Sequence, residues 1–155
     1  MSNLKRLITS ISVFFTIILF VSLFMEWIGL VFQGEEYTTS LWSDSEADIK
    51  YVIVGVTCAV LLTQLVSIFV DKLYFQAGLV MVIIPIINLI LSIDYYTKEK
   101  NNVLEIAQAG VDVVFVTKSA FMLFVITNML LIIVGGILAF IDKTSTTLDS
   151  DDISN

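Results

Sequence analysis

YVIVGVTCAVLLTQLVSIFV (residues 51–70), DK (71–72) and LYFQAGLVMVIIPIINLILSI (73–93) form the stretch on which the fold turns. Two long apolar runs stand back to back there, separated only by Asp71 and Lys72. At about 1.5 Å of rise per residue each run makes a helix of roughly 30 Å, the thickness of a bilayer's hydrocarbon core. So short a connection forces an antiparallel pair. Working outward, positions 7–25 and 120–141 supply two further runs of similar length, and none of the four contains Asp, Glu, Lys or Arg.

The expected fold class is therefore a membrane all-α four-helix bundle, with helices at about 7–26, 51–70, 73–94 and 119–141. Loops 27–50 and 95–118 lie on one side of it, and residues 1–142 make one domain. The tail, 143–155, is rich in Ser, Thr and Asp and poor in apolar groups, a composition that buries too little surface to fold, so it is expected to stay disordered. Of the 155 residues 57% are apolar, which excludes an ordinary water-soluble monomer and makes membrane lipid the first partner.

Inventory removes several function classes. The chain has no His and one Cys, Cys58, so a disulfide, a Cys/His zinc site and a Ser-His-Asp triad are all excluded, and no metal or cofactor is expected. A net charge of −7 argues against nucleic acid, whose phosphates attract clustered Lys and Arg. Pumps and channels place ionisable groups at membrane depth, and the spans hold none, which argues against transport by this chain alone. Lys5, Arg6, Lys72 and Lys143 crowd the helix ends of one side, whereas the four lysines of the other side are spread over long loops. By the retention of positive charge, both termini are expected in the cytoplasm of a cell with this protein in its plasma membrane.

Within the spans, Gly55, Ala59, Thr63 and Ser67 recur every four residues and read as a helix-packing seam, either inside the bundle or toward a second protein or a copy of the chain. Gln64, Asn88 and Asn128 are amides deep within the spans, and an unpaired amide in hydrocarbon is costly, so each is expected to face the bundle. Pro85 removes a backbone donor and predicts a kink in the third helix. Gly135 and Gly136 read as close packing in the fourth.

Outside the spans, Ile28–Gln33 and Tyr37–Trp42 are rich in β-branched and aromatic residues and flank Gly34-Glu35-Glu36, which predicts a β-hairpin. Val111–Lys118 is equally strand-like, and residues 101–109 carry a short helical pattern through Val103, Leu104, Ile106 and Ala107. Two strands alone are marginal, so a third from the other loop is expected to complete a small extracellular antiparallel β-sheet over the bundle. Such a cap either closes the helix ends or recognises a partner through exposed strand edges and the anchors Tyr37, Leu41, Trp42 and Phe115. The acidic residues Asp44 and Glu46 would favour a cationic partner.

Trp27 at the end of the first span, Ser40-Leu41-Trp42 and the strand at 111–118 resemble the claudin and PMP22-type tetraspan group, in which later helices close around an outer sheet. The likeness covers the topology of residues 1–142. Ser40 stands in place of that group's Gly-Leu-Trp glycine, and its first-loop cysteine pair is missing. In this respect the chain is more similar to small uncharacterised bacterial four-helix membrane proteins. The resemblance implies a non-enzymatic protein working by protein–protein contact, with no transfer of junction sealing. A toxin or bacteriocin immunity protein and an accessory subunit of a transporter or secretion complex are the concrete forms of that expectation. A membrane-surface enzyme would have to use carboxylates such as Glu26 with Asp94.

Overall fold

The computed structural model describes residues 2–42 and 48–151. Its elements in chain order are α1 (Ser2–Ser22), β1 (Glu26–Phe32), β2 (Glu35–Ser40), α2 (Ile49–Phe69), a 3-10 turn (Asp71–Leu73), α3 (Tyr74–Gln108), β3 (Val113–Thr117) and α4 (Ser119–Asp151). All four helices are long and apolar enough to cross a membrane, which marks a multi-pass membrane protein. α1 and α3 each pack against both α2 and α4, so the helices close a ring. At one end Lys5 of α1 pairs with Asp142 of α4 at 2.6 Å and lies over the Tyr74 ring of α3. The sheet closes the other end.

The closest helix contact joins α3 to α4. A Cβ built on Gly78 would lie 2.7 Å from the Ala139 backbone nitrogen, and one on Gly135 would lie 2.7 Å from the Met81 Cβ. Neither obstacle can rotate away, so glycine at these two positions sets the helix separation. In lipid, such close van der Waals contact replaces the hydrophobic effect as a source of helix association. Gly136, one residue along, would meet nothing within 4 Å.

Helix lengths differ from the sequence expectation where no residue enforces the expected stop. α3 passes the apolar run and continues to Gln108, because nothing from Asp94 to Ala109 is Gly or Pro and Lys, Glu, Ala and Leu all favour helix. Its 35 residues span about 52 Å. Just past its end stands Gly110, whose φ of 89° reverses the chain and whose N–H donates to the Ala107 carbonyl. The predicted loop of 95–118 thus becomes a helical extension, a glycine turn and a strand. α4 likewise runs on to Asp151, through part of the segment expected to stay unfolded. α1 stops earlier than expected, at Ser22, because Glu26 and Trp27 are drawn into β1.

The three strands form one antiparallel sheet in the order β2-β1-β3, so both long connections meet at the same end. Phe32 pairs with Glu35, placing the hairpin turn on Gln33 and Gly34, both with positive φ, one residue earlier than the glycine–glutamate turn read from sequence. Positive φ at both central residues matches the right-handed twist of a two-residue hairpin. Leu30 faces Tyr37 on one side and Phe115 on the other, which fixes the register of all three strands.

Trp27 joins sheet to bundle. It is fully buried, its indole N–H donating to the Ser22 carbonyl at 2.7 Å and its ring 4.7 Å from Phe124 and 5.4 Å from Phe121. With Leu23, Ile28, Leu41 and Ile53 it fills the mouth of the ring.

Candidate interaction surface on the sheet end

Strand alternation gives the sheet two faces. Ile28, Leu30, Phe115 and Thr117 lie on the face turned toward the bundle. There Tyr96 of α3 meets Phe115 edge-on at 5.2 Å, stacks on Phe121 at 4.3 Å and hydrogen-bonds Thr117. Gly29, Val31, Val114 and Val116 lie on the opposite face, where Glu36 and Lys118 form an ion pair over Gly29. A Cβ on Gly29 would come within 2.9 Å of both the Glu36 carboxylate and the Lys118 chain, so glycine leaves room for that bridge.

The helical extension of α3 runs beside β3 and leaves a groove of about 320 Å³, lined among others by Lys100, Val103, Leu104, Val113 and Phe115. Leu104 and Ile106 lie about three turns past Ile93, hence roughly 16–20 Å beyond the apolar run, yet both stay about half exposed. Tyr37, Val114, Val111 and Phe32 are also exposed. These apolar side chains, away from the spans, make this end a candidate contact surface.

The sequence-predicted anchors separate on this frame. Tyr37 is exposed at β2, its hydroxyl donating to Glu35. Trp42 is 43% exposed and belongs to an aromatic group with Phe24 and Tyr51, over which the Lys50 ammonium sits at 5.9 and 5.4 Å from the Trp42 and Tyr51 rings. Leu41 does not serve as a contact residue, since it is 1% exposed and belongs to the core at the ring's mouth. Phe115 is half-buried against Tyr96 and contributes to a groove wall rather than a free anchor. Asp44 and Glu46 lie outside the described residues. Glu26 and Asp94, the carboxylates considered for chemistry, are both exposed.

The small-residue seam also requires correction as an internal packing face. Gly55 and Ala59 are exposed, Thr63 is half-buried, and Ser67 alone of the four is fully buried. A spacing of four advances each step by about 400°, so the stripe turns by roughly 120° over three steps and crosses from the outer surface to the core. The buried stripe of α2 is Lys50, Ile53, Thr57, Val60, Gln64 and Ser67.

Gln64, Asn88 and Asn128 are fully buried, and around them lies a polar interior that the amides alone did not reveal. Thr9, Ser12 and Thr16 of α1, Thr57 of α2, Ser92 of α3 and Thr127 of α4 are buried too. Most of these hydroxyls return a hydrogen bond to a carbonyl of the preceding turn, as Thr9, Ser12, Thr16, Thr57 and Thr127 do. Thr16 also bonds Gln64 across α1 and α2 at 3.0 Å, and Asn88 donates to Thr57 across α3 and α2 at 3.2 Å. The three- and four-residue spacing of Thr9, Ser12 and Thr16 was the signal in the sequence that could have found this stripe.

No protein family, curated protein or solved structure matches the chain. The claudin-like expectation therefore gains no support from known families or folds.

Proposed function

We propose that this is a non-enzymatic plasma-membrane protein that acts by binding another protein through the sheet and the α3 extension, displayed outside the cell with both termini in the cytoplasm. The observation that carries the reading is the set of apolar side chains, Tyr37, Leu104, Ile106 and Val114 among them, left exposed beyond the spans. The connections that hold them are acidic, with ten Asp and Glu against four Lys in 26–50 and 94–119. A cationic partner suits that balance, and the concrete form is a self-protection protein that occupies a cationic toxin or shields its membrane target.

Expression in a toxin-sensitive host tests this directly: killing by at least one cationic bacteriocin in a panel should fall, and unchanged killing across the panel counts against it. Orientation is tested separately by Leu104→Cys in a Cys58→Ser background. A membrane-impermeant maleimide should label that cysteine in intact cells, and labelling only after permeabilisation would invert the topology.

A lateral partner within the membrane, as in an accessory subunit of a transporter or secretion complex, is the second reading. Gly55 and Ala59 favour it, because they leave a shallow, exposed face on α2 where another helix can approach. Purification in a mild detergent that yields the bare chain alone would speak against it.

A further inference from the structure

Besides Gln64 Nε2, three buried polar atoms have no partner among the described residues: Asn88 Oδ1, Asn128 Oδ1 and Ser92 Oγ. All three of these residues are 0% exposed. The contacts on either side place them at one depth. Gly78 meets Gly135 and Ala139 toward one end of the α3–α4 pair, and Tyr96 stacks on Phe121 toward the other. Asn88 lies eight residues from Tyr96, and Asn128 lies seven residues from Phe121 on the antiparallel neighbour, which brings the two amides level. Ser92 is one turn from Asn88 on the same helix.

The direction of each amide follows from its partners. Asn128 Nδ2 donates to the Phe124 carbonyl at 2.9 Å, and a carbonyl can only accept, so the amide nitrogen is the atom held there. The Thr57 hydroxyl gives its proton to the Ile53 carbonyl at 2.7 Å, which makes its oxygen the acceptor for Asn88 Nδ2. Both amide oxygens are thereby left as acceptors in need of donors, and the Ser92 hydroxyl, one turn along from Asn88, is able to do either. Leaving them unpaired would carry the full desolvation penalty of each group.

A cation does not suit this layer, because the apolar spans that form it contain no carboxylate to balance the charge. A neutral molecule with two protons to give and a lone pair to receive does suit it. We propose that Asn88, Asn128 and Ser92 form a binding site for a buried water molecule. The water donates to Asn88 Oδ1 and Asn128 Oδ1 and accepts from the Ser92 hydroxyl, within the two to four contacts that buried waters make. Through it α2, held by the Thr57–Asn88 bond, is tied to α4.

The test uses the full chain in nanodiscs. The side-chain amide protons of Asn88 and Asn128 should show NMR cross-peaks at the water frequency, with long-residence sign, and the peak at Asn128 should be lost in Asn88→Leu. Asn88→Leu and Asn128→Leu should each lower the thermal midpoint. The double variant should lose no more than about half of the summed shifts, because the second removal takes away a group already left without its bridge. Absence of water cross-peaks in the unmodified protein would overturn the proposal whatever the variants do. So would a direct Asn88–Asn128 amide contact in their place.

Discussion

In the bundle, hydroxyls and amides lie inside while large apolar side chains also stand on the outer surface: Thr16, Gln64 and Asn88 are buried, whereas Phe69 and Phe140 are 83% and 72% exposed. In the cap, Trp27, Ile28 and Leu41 are buried while Glu35, Glu36 and Thr38 face outward, as in a sheet that meets water. The same chain thus follows two solvents. Exposure of Phe140 needs no explanation beyond lipid, whereas exposure of Val114 and Leu104 on the cap is what the proposed partner would cover. The difference teaches that an apolar surface carries functional information only where the surrounding solvent would reject it.

The comparison is most severely tested at Trp27, where the two regions join. Trp27→Ala should cost about 3–5 kcal/mol, the range for truncating a fully buried large aromatic, as read by denaturation in detergent. Trp42→Ala, at a half-exposed ring, should cost clearly less, and equal losses would show that the junction is not centred on Trp27. Next comes the α3–α4 contact: Gly78→Val should destabilise by about 1–3 kcal/mol through overpacking, whereas Gly136→Val should leave the midpoint nearly unchanged. A neutral Gly78→Val would mean the two helices are further apart than described.

Smaller effects on folding separate surface from scaffold. Val114→Asp and Tyr37→Ala should change stability by no more than about 0.5 kcal/mol yet weaken partner binding or host protection about tenfold or more. If both functions survive these changes, the exposed side of the cap is not the contact surface. The smallest effect is expected at the ion pair over Gly29. Lys118→Ala should cost at most about 1 kcal/mol, and raising the salt concentration should shrink the difference from the unmodified protein.

Much of this was legible in the residues themselves. Uncharged apolar runs long enough to cross a bilayer can satisfy their backbone in lipid only as helices, so the number of spans and the tight α2–α3 pair follow from the sequence. Alternation of β-branched and aromatic residues likewise placed three strands, and a hairpin too weak alone required its third strand from the other connection. What stayed hidden was which way each helix faces. Apolar side chains cover every side of α2, so no periodicity separates its lipid face from its core face, and the four-residue stripe from Gly55 to Ser67 pointed to the wrong side at its start.

Tertiary structure alone decided that Leu41 and Trp27 turn inward, that α3 outruns its apolar segment to reach Gln108, and that Gly78 rather than Gly136 meets its opposite helix. Those outcomes depend on contacts between elements far apart in the chain. Span count and strand pattern depend on local composition and solvent, which is why the order of residues sufficed for them.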